Sequence, residues 1–143
     1  MSQDPNDEPA SELLKRIATE KARLVAQGKI KKTQPMVAVG DGDQLFELPD
    51  KWRWVHVGDV ALTSTGKTPP TANAYFYGDS IPFIGPGQIT LDSQMLQPEK
   101  WLSEEGKVET TMADVGDVLM VCIGGSIGKC AIVERETAFN QQI

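Results

Sequence analysis

The chain has 143 residues and a formal net charge of −6, which suits one ordinary domain plus an appendage and excludes a strongly basic, autonomous nucleic-acid binder. No apolar run is long enough to span a bilayer, and the acidic start Met1 to Glu8 lacks the basic region and apolar core of a secretory signal, so no membrane partner and a cytoplasmic location are expected. Two cysteines and one histidine leave little for metal chemistry: Cys122 and Cys130 match no zinc spacing, and their apolar surroundings predict buried free thiols rather than a disulfide.

Residues 1 to 8 are polar and disorder-prone. A helix pattern runs from about Pro9 to Gln27, with Asp7 and Glu8 at its start, Pro9 in the first turn and Gly28 at the C-terminal cap. Its apolar stripe is Leu13, Leu14, Ile17, Ala18, Leu24 and Val25, interrupted by Lys21. A lone helix of this length is marginal in water, so the stripe needs a docking surface, either on the chain itself or on another subunit. Lys29, Lys31 and Lys32 form a basic tail. Residues 33–47, with Pro35, Gly40, Asp41, Gly42 and Asp43, read as a linker, and 1–32 as a detachable arm.

From Leu48 onward the patterns are mostly those of strands. Trp52-Arg53-Trp54-Val55-His56-Val57 alternates and predicts a strand, followed by a turn at Gly58-Asp59. Ile81 to Ile84, Val115 to Ile123 and Cys130 to Val133 are further expected strands, and Gln97 to Gly106 is expected to carry a short helix. The fold class is therefore α+β: an irregular, mostly-β domain with long loops, of the kind that carry recognition, preceded by an amphipathic helix.

Gly124-Gly125-Ser126-Ile127-Gly128-Lys129 joins two of these apolar runs. A P-loop requires Gly five residues before the Gly-Lys pair and Ser or Thr after it; here those positions hold Ile123 and Cys130. Gly66-Lys67-Thr68 fails in the same way, with Ala61 at the first glycine position. Gly85-Pro86-Gly87 lacks the third glycine of a dinucleotide fingerprint. ATP and NAD binding are excluded on these grounds. The bend suits a phosphate, a base edge or a tight hairpin whose glycines serve geometry alone. His56 is the lone histidine and reads as structural, and no carboxylate pair reads as general acid and base. From Leu45 onward, seven basic residues face thirteen acidic ones, a net charge of −6.

The order of motifs resembles the first target recognition domain of type I restriction–modification specificity subunits. The residues that carry this resemblance begin with Leu48-Pro49-x-x-Trp52-x-Trp54-Val55-x-x-Gly58-Asp59. Thr65-Gly66-Lys67-Thr68-Pro69, Tyr75-Phe76-Tyr77-Gly78 and Ile81-Pro82-Phe83-Ile84 follow. Gly116-Asp117-Val118-Leu119, Gly125-Ser126-Ile127-Gly128-Lys129 and Phe139-Asn140-Gln141-Gln142-Ile143 complete it. The leading helix is similar to the short helical arm of some members. The resemblance places a target recognition domain over 48–143 and implies double-stranded DNA recognition without catalysis, each domain reading one half of a split site. It implies methyltransferase (modification) and restriction subunits as partners, with S-adenosylmethionine, ATP and Mg bound there and no cofactor on this chain. It also implies that spacer helices and a second domain lie beyond Ile143 and that the first domain is itself incomplete.

On that reading Lys67, Thr68 and Lys129 suit phosphates, with Ser126 beside them on the bend. Gln88, Asn140, Gln141 and Gln142 carry amides that suit base edges, adenine above all. Asn140 to Gln142 have an alternative role as structural hydrogen-bonders of loop backbone. Family members often place charged or other polar groups where Gly85 and Gln88 stand. Leu13, Leu14, Ile17, Leu24 and Val25 would bind a partner subunit. The alternative function is a protein–protein adaptor that docks through the helix without reading DNA.

Overall fold

The computed structural model describes residues 4, 6–32 and 36–143, together with the backbone but not the side chain of Asp41. Most of the expected disordered start (1–3 and 5) and the opening of the expected linker (33–35) lie outside the described residues. The fold is α+β. The chain divides into two compact units, Met1–Thr63 and Ser64–Ile143. Among the described residues no helix is long and apolar enough to cross a membrane.

In the first unit, α1 spans Ala10–Ala26. It starts where Pro9 supplies an extended backbone, and Glu12 lies in its first turn, where a carboxylate complements the helix dipole. It ends on Gly28 at φ +68: the Gly28 N–H donates to the Val25 carbonyl and the Lys29 N–H to the Leu24 carbonyl, the paired closure that a left-handed residue permits. No residue of α1 is fully buried; Leu14, Ile17, Lys21, Leu24 and Val25 are half-buried and Leu13 is exposed. Lys21, which interrupts the stripe in sequence, belongs to the half-buried face. Its Nζ donates to the carbonyls of Gly58 (2.6 Å) and Asp59 (3.2 Å), in the short helix α2, Val57–Val60. The Ala10 N–H donates to the Lys51 carbonyl. The helix therefore docks on its own chain at residues 51–59.

Trp52 to His56 form no strand, and Gly58-Asp59 lies within α2 rather than in a turn. The alternation is still real: Trp54 and His56 turn inward and Trp52, Arg53 and Val55 outward. Side chains, not a neighbouring strand, hold this extended stretch. The Trp54 and Phe46 rings meet edge-on at 5.0 Å, and His56 Nε2–H donates to the Val37 carbonyl at 2.8 Å.

The second unit is built on a four-stranded mixed sheet in the order β2–β1–β6–β3. β1 (Tyr77–Ile84) pairs antiparallel with β2 (Lys100–Leu102), with a register shift between Tyr77 and Ile81. It pairs parallel with β6 (Thr137–Phe139), which pairs antiparallel with β3 (Thr111–Ala113). Flanked on both edges, Ile81 to Ile84 are all buried, which is why that run reads as continuously apolar rather than alternating. The expected helix over 97–106 is only partly present. Pairing with β1 draws Lys100–Leu102 into a strand, and α3 covers Glu104–Lys107. It starts there because Ser103 Oγ accepts the Gly106 N–H, an N-cap.

A separate hairpin of β4 (Val118–Met120) and β5 (Cys130–Ile132) pairs Leu119 with Ala131. Leu119, Val121, Ala131 and Val133 turn inward onto Ile84, Ile89, Ala113, Phe139 and Ile143 in one buried cluster; Ile81, Phe83, Leu102 and Ala138 form a second. Both cysteines are free, but neither is buried: Cys122 is exposed and Cys130 half-buried. They fall on the outer face of the hairpin because Leu119 and Val121 occupy the inner one.

Candidate nucleic-acid interface

Three of the motifs singled out in the sequence meet at one turn. Residues 140–143 follow β6, and the Asn140 N–H extends the parallel pairing by donating to the Ile84 carbonyl at 3.1 Å. The Ile143 N–H then closes back on the Asn140 carbonyl, and Ile143 plugs into the core. On one side lies the Thr65–Thr68 loop: the Gly66 N–H donates to the Ile143 carbonyl and the Lys67 N–H to the Phe139 carbonyl. On the other lies the hairpin: the Cys122 N–H donates to the Gln142 carbonyl at 2.8 Å. The turn is thus clasped by backbone from segments far apart in sequence.

The Thr65–Thr68 loop is itself anchored. Thr111 Oγ1 donates to the Thr65 carbonyl and Thr110 Oγ1 to the Lys67 carbonyl. The Tyr77 hydroxyl donates to the Pro69 carbonyl at 2.8 Å, and burial pushes the Tyr77 phenol up from its ordinary value, which keeps it a donor. Glu109, Thr110 and Thr111 are the participants that sequence reasoning missed. The signal available was a polar run, Glu109-Thr110-Thr111, immediately before an apolar Met.

The candidate residues divide by what they do here. Thr68 Oγ1 donates to Gln141 Oε1 at 2.6 Å. Asn140 Oδ1 accepts the Gln142 N–H at 3.0 Å, and Asn140 Nδ2 donates to Gln142 Oε1 at 3.2 Å. Thr68 with Gln141 and Asn140 with Gln142 therefore form two hydrogen-bonded pairs, a cluster of polar side chains on and beside the clasped turn. Gln88 does not join it in the same way. It is 8% exposed, its Oε1 accepts the Gly85 N–H and its Nε2 donates to Glu99. Both ends of that amide are committed inside the protein. Gly85 leaves room for the cluster: a methyl group there would lie 3.2 Å from Asn140 Nδ2.

Lys67 Nζ lies 3.3 Å from Glu109 Oε2, with side chains 59% and 42% exposed. A pair so open to solvent contributes about 0–1 kcal/mol, so a phosphate can replace the carboxylate at little cost. Lys129 makes no ion pair among the described residues. It closes the Gly124–Lys129 bend, whose geometry is that of a hairpin: the Gly128 N–H donates to the Val121 carbonyl, and the Lys129 carbonyl accepts the Val121 N–H. Gly124 and Gly128 sit at φ +101 and +92, conformations that favour glycine. Ser126, half-buried on the bend, accepts the Lys129 N–H through its carbonyl. No group of three or more metal-ligating side chains occurs among the described residues.

Such amides and hydroxyls on and beside a backbone-clasped turn, with the exposed Lys67 beside them, can make hydrogen bonds and attract anions, and they include no activated nucleophile. Comparison with known proteins bears on which ligand that is. A stretch of 59 residues, 41% of the chain, is 58% identical to the type I restriction enzyme EcoEI specificity subunit of Escherichia coli. A stretch of 58 residues, again 41% of the chain, is 60% identical to the EcoAI specificity subunit of the same organism. The chain is similar to type I restriction enzyme specificity subunits. This is the family that the order of motifs resembles. Each match spans 10% of the relative's own length. No family model matches the chain.

Proposed function

We propose that this chain supplies sequence-specific DNA recognition to a type I restriction–modification complex. Its target recognition region would read one half of a bipartite site and direct methyltransferase and restriction subunits there. The observation that carries this reading is the meeting of Thr65–Thr68, the glycine bend and Asn140–Gln142 at one clasped turn, in a chain with 58–60% identity to specificity subunits over part of its length. Catalysis, with S-adenosylmethionine, ATP and Mg, would belong to the partner subunits.

The charge balance sets the terms of binding. A net −6 from Leu45 onward repels phosphates, and Lys67 and Lys129 are the cations proposed to contact them. Partner subunits would supply the rest of the attraction. Labelled duplexes titrated at low and at physiological salt test this. The chain alone should bind detectably at low salt and weakly at physiological salt, and tighten when methyltransferase subunits are added. Lys129→Ala should weaken all duplexes alike and reduce the slope of log affinity against log salt by about 0.9, one phosphate contact. Tight, specific binding by the lone chain at physiological salt would contradict this account.

The partner-docking role of α1 has its own support. None of its residues is fully buried, and Leu13 stays 41% exposed beside the half-buried Leu14 and Ile17. A methyltransferase subunit would complete the burial of Leu13, Leu14, Ile17, Leu24 and Val25. The adaptor function without DNA reading is the outcome if duplexes are not retained at low salt while a partner subunit is.

A further inference from the structure

The hydrogen bonds around Asn140 fix which atom Gln142 turns outward. The Gln142 backbone N–H, 3.0 Å from the Asn140 side chain, can only donate, so the Asn140 atom facing it is the oxygen. The other Asn140 atom is then Nδ2, which also can only donate. The Gln142 atom it meets at 3.2 Å must therefore be Oε1. What is left pointing away is Nε2, with two N–H groups. It faces the glycine bend, where a methyl group on Gly124 would sit 3.9 Å from it. No described residue accepts a hydrogen bond from the backbone N–H of Gly124, Gly125, Ser126 or Ile127. Side chain and bend thus both carry N–H donors that no described residue accepts.

We infer that Asn140 acts as a positioning residue that makes Gln142 a donor-only reader. This rests on the DNA-recognition reading above and narrows it. An adenine edge needs a donor and an acceptor from one amide, and here the acceptor faces inward. The group that fits Nε2 is acceptor-only: the O6/N7 edge of guanine or a phosphate oxygen. Gln142→Glu replaces the outward N–H groups with oxygen and adds one negative charge, while Oε1 still accepts from Asn140; Gln142→Met removes the N–H groups without adding charge. Asn140→Asp instead changes the inward partner. Its first oxygen still accepts the backbone N–H, its second now asks for a donor, and the Gln142 amide turns over to expose Oε1.

The test is affinity of the folded chain at low salt, with a panel of duplexes that differ by single base pairs, alongside thermal melts. Gln142→Glu should melt like the wild type and lose about 10- to 100-fold in affinity. If the loss is confined to one guanine-containing position, the ligand is the base edge; a uniform loss that the uncharged Gln142→Met shares marks a phosphate, and a uniform loss that Gln142→Met does not share is charge repulsion and overturns this inference. Asn140→Asp should shift preference toward a base pair that offers an N–H donor, or weaken all duplexes in the phosphate case, and it carries the test if Gln142→Glu melts early. Binding by Gln142→Glu and Asn140→Asp equal to the wild type, with intact folds, overturns this inference alone. A wild-type chain that retains no duplex at low salt overturns the DNA-recognition reading as well.

Discussion

Gly66→Ala is expected to destabilise the second unit by about 3 kcal/mol or more, roughly 10–20 °C in melting temperature for a unit of this size. A Cβ at Gly66 would lie 2.1 Å from the Asn140 carbonyl oxygen and 2.5 Å from that of Phe139. Neither oxygen is free to move. The Phe139 carbonyl accepts the Lys67 N–H, the Asn140 carbonyl accepts the Ile143 N–H, and the Asn140 N–H is bonded to Ile84. The added methyl must therefore break the clasp or shift the end of the sheet. Gly87→Ala is the matched control, because a methyl there meets nothing within 4 Å; its melt should stay within about 0.5 kcal/mol of the wild type. Equal melts for the two variants would mean that the Thr65–Thr68 loop does not hold the close approach described here.

Leu102→Ala should cost about 2–5 kcal/mol. Leu102 is fully buried on β2, among Ile81, Phe83 and Ala138. Its strand is three residues long and lies at the edge of the sheet, and Leu102 is the one fully buried side chain it contributes. Leu91→Ala, at a leucine 91% exposed, should leave the melt unchanged. Thermal unfolding followed in parallel by Trp101 fluorescence, with Trp52 and Trp54 replaced by Phe, and by circular dichroism separates two outcomes. A common shift means the whole unit loses stability. An early change in fluorescence alone would mean that β2 frays while the rest stands, and the assignment of Leu102 to the shared core would fail.

The parts of the fold that could be read from sequence are those whose signals are local. α1 carries its own start, stripe and stop, and its observed end at Gly28 follows from one residue's tolerance of positive φ. The β4–β5 hairpin announces itself as two apolar runs around a glycine bend. β3 and β6 do not, because three residues such as Thr137-Ala138-Phe139 have no period long enough to recognise. They are strands because β1 and each other supply the ladder. The alternation at Trp52 to Val57 misled for the complementary reason: an extended stretch alternates whether its partner is a strand or the side chains of Phe46 and the backbone of Val37. At the candidate interface, residue type pointed to Thr68, Asn140, Gln141 and Gln142, and the structure brings them together. Residue type could not show that Gln88 is occupied by Gly85 and Glu99, or which way the Gln142 amide faces. Those depend on hydrogen-bond partners that only the fold selects.

The parallel pairing of β1 with β6 has a consequence for how the unit forms. Antiparallel neighbours can zip from a nearby turn, but a parallel pair must wait for a crossover, and here about fifty residues intervene between Ile84 and Thr137. During synthesis the run Ile81 to Ile84 is made early and finds β2 within about twenty residues, while its other edge stays unpaired until β6 emerges. Closing so long a loop carries an entropic cost that the final contacts repay only late. The segment that completes the sheet is also the one that continues into Asn140, Gln141 and Gln142. The turn at 140–143 therefore cannot take its clasped form until β6 has paired with β1.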